Sequence, residues 1–380
     1  MRRPFSTLAL LFLCGFTAVA TFAAVPIPQA PSIESKSYIL MEYASGRTLG
    51  ENHPDDKVEP ASLTKLMTAY AVFKALKENR LKLDELVPIS EHAWKAEGSR
   101  TFVQVGTTVP AEILIKGMII QSGNDATIAL AERVGGSEPA FAQLMNEYSK
   151  RLGMKGTNWT NAPGLPDPNH YTTARDIAIL ARAIIREFPE YYKYYSMREF
   201  TWNKITQQNR NGLLTRDPTV DGMKTGHTDS AGYCLVTSAK RGDMRLITVV
   251  LGTPSIKARE DGSAALLSYG YTFYESAKLK SRGDVILKPH VYKSAEENPA
   301  IGVLQDIVVV VPRGESANLK TTAHVTEPLI APLPANKPVG ELTITSQTGE
   351  TVAKVPLYPL KAVAEGGLWT RMVDSVKLWF

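Results

Sequence analysis

Apolar residues along this chain repeat at different periods, and each change of period marks a change of element. Leu66, Ala69, Tyr70, Phe73 and Leu76 recur at helical spacing with charges between them, so a helix starts near residues 62–65. Before it, residues 37–43 and 48–49 flank the turn Ala44-Ser45-Gly46-Arg47 and read as a strand pair. Residues 81–110 scatter Pro88, Gly98, Gly106 and Pro110 among short apolar pieces, a pattern of loops with short strands. An apolar segment, 113–120, then stops at Gln121-Ser122-Gly123-Asn124-Asp125. Helical spacing resumes over 126–134, ended by Gly135-Gly136, and over 141–152, closed by Gly153. Residues 161–169 hold three prolines and a glycine and form an irregular loop; Thr172 or Thr173 caps the helix that runs on to Ile185.

From Asp221 the period changes to two. Residues 222–227 read as a short strand. Residues 232–238 and 244–251 form a hairpin around Lys240-Arg241-Gly242-Asp243, and 258–279 return to helix. Strand pair, helices, strands and helix in that order make an antiparallel sheet flanked by helices. After about Arg282 the helical period is lost. Short strand-like runs over 285–287, 301–304, 307–311, 319–325, 340–345 and 351–355 alternate with turns, as in a small all-β sandwich. The chain is thus an α+β protein, with one domain over 25–283 and a β-sandwich over 284–360.

The last segment, within 361–380, is a different kind of helix. Leu368, Trp369, Met372, Val373, Val376, Trp379 and Phe380 share one face, with Arg371, Asp374, Ser375 and Lys377 opposite. That face suits a helix lying in a membrane interface; the alternative is a terminal helix docked on its own domain. At the other end, Arg2 and Arg3 precede an apolar run over 8–16 and the small residues Ala18, Ala20, Ala23 and Ala24. Basic, apolar and small in succession describe a secretory signal peptide over 1–24, so the protein is read as exported. A lipoprotein reading through Cys14 is weaker because bulky Leu13 precedes it.

Composition narrows the function. With 44% hydrophobic and 21% charged residues in 380, the chain is an ordinary globular protein long enough for two domains. A net charge of +5, partly from Arg2 and Arg3 and otherwise dispersed, does not point to nucleic acid. If Cys14 leaves with the signal, Cys234 has no partner for an internal disulfide; in its strand-like run it reads as a small buried hydrophobe. Histidines 53, 92, 170, 227, 290 and 324 show no metal-ligand spacing, and no cofactor motif appears.

Three polar motifs remain: Ser62-x-x-Lys65, Ser122-Gly123-Asn124 and Lys224-Thr225-Gly226. Residues three apart share a helix face, so Lys65 reaches Ser62, and a lysine of lowered pKa serves as base for a weak serine nucleophile. Each motif alone also reads blandly, as a helix cap, a turn and a surface cation. In this order they resemble the signature of the penicillin-binding protein and serine β-lactamase superfamily. Pro60 to Lys65, Asn209 to Leu214, Asp221 to Asp229 and Ala231-Gly232-Tyr233 are similar to the low-molecular-mass penicillin-binding proteins that are D-alanyl-D-alanine carboxypeptidases. The resemblance covers nearly the whole chain after the leader and implies a β-lactamase/transpeptidase-like fold for the first domain.

On that resemblance Ser62 forms an acyl-enzyme, Lys65 is its base, Ser122 relays the proton to the leaving amine and Lys224 shapes its electrostatics. Asn124 offers its amide to the substrate's peptide groups. Ser62 and His227 supply the backbone N–H groups of an oxyanion hole. Thr225 and Arg259 match the family positions that hold the substrate's C-terminal carboxylate, for which arginine is well shaped; Gly226 is a further substrate-binding candidate, and Arg210 another beside the cleft. The implied partners are peptidoglycan stem peptides ending in D-Ala-D-Ala, β-lactams as covalent inhibitors, and the outer face of the cytoplasmic membrane through the terminal helix; no cofactor or metal is implied. A β-lactamase is disfavoured by the lack of a Glu-x-x-Leu-Asn-like segment between Ser122 and Lys224, and by Gly123 in place of an aspartate. Endopeptidase or transpeptidase activity shares the same acyl-enzyme, and a non-enzymatic wall-binding module would not need all three motifs.

Overall fold

The computed structural model describes residues 27–379, so the leader over 1–24 lies outside the described residues. Its centre is a five-stranded antiparallel sheet in the order Thr48–Asn52, Ser37–Glu42, Met244–Thr253, Gly232–Arg241, Val220–Thr228. The strands alternate between two cores. Ile39, Met41, Val236, Ile247 and Val249 face the helices of the middle of the chain. Tyr38, Leu40, Leu235, Leu246 and Val250 face Leu266 and Leu267 of the Ile256–Phe273 helix. Both faces are covered, which is why the Ser37–Glu42 strand is buried along its whole length. Each large aliphatic side chain withdrawn from water here is worth about 1.5–3 kcal/mol.

The Lys65–Lys77 helix runs through the first core and is buried on nearly every side. Ala69, Ala71 and Ala75 allow neighbours to approach closely, so the one-sided stripe read from the sequence understates its burial. Around it pack Asn124–Gly135, Glu138–Leu152, whose Ser137 caps the helix, and Ala174–Glu187, capped by Thr173 Oγ1 on the Asp176 N–H. Two small hairpins, Leu86–Pro88 with Thr108–Pro110 and Glu199–Trp202 with Ile205–Gln208, border this lobe; the second has no clear signature in the sequence.

The helix expected over 258–279 ends at Phe273, and Tyr274–Lys280 is a strand instead. Tyr274 turns to an extended conformation because the following residues find a partner in Ile307–Pro312. Arg313 seals the junction by donating to the carbonyls of Tyr271, Thr272 and Tyr274. By pairing, this strand belongs to the C-terminal sheets, upstream of the 282–284 boundary read from the sequence. The second sheet runs Val285–Leu287, Ile301–Gly302, Thr351–Pro359, Gly340–Thr345, Lys320–Val325. Ile307, Val309 and Val311 pack on Leu342, Ile344 and Leu357, while Val310 points back into the second core of the first domain. Arg47 donates to the Val310 carbonyl at 2.9 Å, a further tie between the two units.

Candidate active site

The nucleophile candidate sits in a single tight turn, Ala61–Thr64, that feeds directly into the Lys65–Lys77 helix. Ala61 is left-handed, φ 47°, a conformation a residue with a Cβ holds only when its surroundings impose it. Gly164 is part of that surrounding: it has φ 87°, and a Cβ there would stand 1.9 Å from the Ala61 carbonyl oxygen. The Glu59 carboxylate accepts from Thr228 Oγ1 at 2.8 Å and from Ser230 Oγ, tying the end of the Val220–Thr228 strand to the segment before Ser62.

Lys65 is 1% exposed and has three polar neighbours. Its Nζ lies 3.0 Å from Ser62 Oγ, 2.7 Å from Asn124 Oδ1 and 2.8 Å from the Pro163 carbonyl. Burial, and after it the Arg210 charge, lower the Lys65 ammonium from 10.5 to about 7, against the opposing pull of Asp125. The carbonyl and the amide oxygen only accept. A neutral Lys65 therefore spends its two N–H bonds on Asn124 and Pro163 and turns its lone pair to Ser62.

Ser122 follows a widened helical turn, Gly117–Gln121, and is itself left-handed, φ 68°. Lys224 donates to its Oγ at 2.9 Å and to the Thr225 carbonyl at 3.1 Å. Burial first, then the charges of Lys65, Arg210 and Arg259, push Lys224 well below the ordinary lysine range. Asn124, expected to face the substrate, spends Oδ1 on Lys65 and one Nδ2 hydrogen on the Glu97 carbonyl at 2.6 Å. Its other Nδ2 hydrogen is what remains for a ligand.

Ser62, Ser122, Thr225, Gly226, His227, Arg210 and Arg259 line one cleft of about 690 Å³, together with Gly98, Ser99, Tyr233 and Ile256. No carboxylate is among these residues. Arg259 is 5% exposed, its Nε has no hydrogen-bond partner, and its Cζ lies 5.8 Å from the Tyr233 ring centre. A buried guanidinium lining a cleft without acids is suited to an anion. The His227 ring lies against Tyr233, with ring centres 4.1 Å apart, over the same end of the cleft. The Val220–Thr228 strand ends the sheet, so Lys224 to His227 lie on an edge strand.

Several residues that build this site carry no motif. Asp125 is fully buried and accepts from the N–H groups of Thr101, Phe102 and Ala126 at 2.7, 2.8 and 2.8 Å, with Val103 at 3.3 Å. It clamps the loop bearing Gly98 and Ser99 onto the Asn124–Gly135 helix; its place just after Ser122-Gly123-Asn124 is the only hint in sequence. Pro163 and Gly164 come from the irregular loop, and His170 follows it; the turn residues announce a loop but not what it touches. Cys234 is a buried strand residue paired with Gly226 but not among the residues lining the cleft, and burial pushes its thiol up to about 11. Among the described residues no cluster of His, Cys, Asp or Glu is placed to hold a metal ion.

The sequence pattern of the D-alanyl-D-alanine carboxypeptidases matches residues 24–255, and that of the penicillin-binding protein 5 C-terminal domain matches residues 274–365. The chain is 43% identical over 381 residues to the D-alanyl-D-alanine carboxypeptidase DacC of Escherichia coli, covering 98% of this chain and 94% of that one. The crystal structure of penicillin-binding protein 5 from Haemophilus influenzae matches with a TM-score of 0.85 and 41% identity, over 89% of this chain and 100% of that one. Penicillin-binding protein D2 of Listeria monocytogenes, solved in its ampicillin-bound form, matches over 64% of this chain and 100% of its own, with 29% identity and a TM-score of 0.60.

Proposed function

The chain belongs to the D-alanyl-D-alanine carboxypeptidase family, and from that premise we propose that Ser62 removes the terminal D-alanine of peptidoglycan pentapeptide stems through an acyl-enzyme. The protein is a serine-type D-alanyl-D-alanine carboxypeptidase and a penicillin-binding protein; the assignment of its residues to steps is the proposal. Lys65 carries it. With Asn124 Oδ1 and the Pro163 carbonyl taking its N–H bonds, the lone pair of a lysine lowered to about 7 faces Ser62 Oγ at 3.0 Å.

Lys65 takes the Ser62 proton as Oγ attacks the carbonyl of the penultimate residue. The backbone N–H groups of Ser62 and His227 hold the developing oxyanion. As the tetrahedral intermediate collapses, the Ser122 hydroxyl gives its proton to the leaving nitrogen, and the proton on Lys65 replaces it. Lys224 holds the Ser122 oxygen throughout, at 2.9 Å. The departing D-alanine carries its carboxylate on Thr225, Arg259 and Arg210, and the substrate backbone lies along Lys224 to His227 as an added strand. Water then attacks the ester, yielding a proton to Lys65 that passes to Ser62 Oγ as the shortened stem leaves with its new carboxyl group. β-Lactams enter by the same attack. Their amine leaving group stays tethered in the cleft where D-alanine would have left, and no lining carboxylate is there to activate water past it, so their acyl-enzymes turn over slowly.

Ser62→Ala should release no free D-alanine from a D-Ala-D-Ala peptide and should lose the penicillin adduct that mass spectrometry finds on the Ser62 peptide. Undiminished D-alanine release in that variant would refute the assignment, and rapid release of bound penicillin by the intact enzyme would refute the slow turnover.

Export to the periplasmic side of the membrane, with the Leu368–Lys377 helix as a peripheral anchor, completes the proposal. Leu368 and Trp369 are each 79% exposed and Trp379 is 90% exposed. The polar side holds the body instead: Asp374 is buried and accepts from the Lys293 N–H at 2.6 Å. No helix among the described residues is long and apolar enough to cross a membrane.

A further inference from the structure

The chemistry above leaves His170 without a task, although its ring is buried against Trp159, 5.5 Å between ring centres. Its neighbours fix its tautomer. Nδ1 lies 3.0 Å from the Thr160 backbone N–H, a group that only donates, so Nδ1 accepts. The proton of the neutral ring is then on Nε2, which donates to Thr64 Oγ1 at 2.8 Å. Thr64 in turn donates to the Ala61 carbonyl at 2.8 Å.

Each end of this chain carries something the reaction uses. Ala61 precedes the nucleophile and holds its left-handed conformation, φ 47°, only under outside constraint. The loop that begins at Thr160 carries Pro163, whose carbonyl takes one Lys65 N–H at 2.8 Å. Gly164, beside Pro163, lies flush against the Ala61 carbonyl.

We propose that His170 is a positioning residue, whose Nε2–H bond to Thr64 locks the Thr160–Gly164 loop to the Ala61–Lys65 turn and keeps the Lys65 lone pair on Ser62. This rests on the assignment of Ser62 and Lys65 as nucleophile and base. Burial lowers the imidazole to about 4, although the nearby charges of Asp167 and Glu59 favour its protonation. The ring is therefore neutral, and in the tautomer the chain needs, at the pH where Lys65 acts.

Substitutions separate the two sides of the ring, Nδ1 against Thr160 and Nε2 against Thr64. His170→Asn keeps an acceptor for the Thr160 N–H but has no donor that reaches Thr64. His170→Gln sets an amide nitrogen where Nε2 was. Thr64→Val removes the hydroxyl at nearly constant shape, and Thr64→Ser restores it. The readout is the rate constant of acylation by penicillin per folded molecule, measured with the affinity of the initial complex and with Tm. His170→Asn and Thr64→Val should acylate roughly 10- to 100-fold more slowly at unchanged initial affinity, the scale of a small misplacement of reacting groups. His170→Gln and Thr64→Ser should recover most of the rate. The double variant His170→Asn/Thr64→Val should be no slower than either single one, because both cut the same link. Wild-type acylation with only a lowered Tm would overturn the proposal, as would losses that multiply in the double variant. If the His170 variants do not fold, the two Thr64 variants decide by the same criteria. A wrong catalytic assignment has a separate signature, because acylation would then survive Ser62→Ala.

Discussion

At the scale of single residues, burial makes Lys65 and Lys224 poor ammonium ions, and with Lys65 as the proposed base the pH dependence of acylation should show it. Lys65, lowered to about 7 by burial and by Arg210, acts as a base only when neutral, so acylation should rise with pH through a midpoint near 7. Removing the Arg210 charge takes away a repulsion that disfavours the ammonium. In Arg210→Gln the rising limb should therefore move to higher pH, on top of a pH-independent loss from the missing carboxylate contact. A uniform loss at every pH would instead mean that Arg210 acts only on the substrate. His170 titrates in the opposite sense for stability. Its folded value of about 4 lies below the ordinary 6.5, so the unfolded chain binds its proton first as pH falls. The stability tied to its neutral ring is complete above 6.5 and is lost between there and about 4. Urea midpoints measured across that interval should fall with pH in the wild type and fall less in His170→Gln.

At the scale of elements, what the sequence disclosed depended on whether neighbours in space were neighbours in the chain. Ser62 and Lys65 lie one helical turn apart, and their hydrogen bond follows from spacing alone. Ser122 and Lys224 were legible only as motifs whose order resembled a family, since 102 residues separate the partners. Pro163 reaches Lys65 across 98 residues through a backbone carbonyl, a contact to which side-chain identity contributes nothing. The helix read through to residue 279 failed for a related reason, because the pairing partner that draws out Tyr274–Lys280 lies thirty or so positions later, at Ile307–Pro312. Asp125 shows how much one unannounced residue organises. Its carboxylate holds the loop that forms one wall of the cleft through backbone N–H groups at 2.7 to 3.3 Å. Asp125→Ala strands several buried donors at once, each costing about 1–3 kcal/mol when unsatisfied. A destabilisation of about 3 kcal/mol or more is expected in urea titrations. Proteolysis of the native protein should cut first within residues 97–103.

At the scale of the whole molecule, the two domains are joined end to end along the direction of the central strands. Lys36, just before the Ser37–Glu42 strand, reaches the Ser230 carbonyl at the cleft end, whereas Arg47, after that strand, reaches Val310 of the C-terminal sheets. The strand spans roughly 20 Å at about 3.3 Å per residue, so the cleft and the C-terminal sheets lie at opposite ends of the first domain. The terminal helix is fastened to the C-terminal unit by Asp374 accepting from the Lys293 N–H, with its tryptophans turned outward. If that helix is a membrane anchor, binding and catalysis are separable. A chain ending at Gly366 should hydrolyse a soluble D-Ala-D-Ala peptide with unchanged kcat and KM, because nothing in the cleft touches the helix. In flotation with vesicles containing anionic phospholipid, the chain carrying the helix should rise with the lipid and the shortened one should stay in the dense fractions. Replacing Trp369 and Trp379 by glutamate should have the same effect as truncation, since interfacial binding scales with the apolar area buried in the headgroup region. High salt alone should weaken binding only in part, as Arg371 and Lys377 supply the smaller electrostatic share. Equal flotation of the full and shortened chains would show instead that the apolar face has another partner.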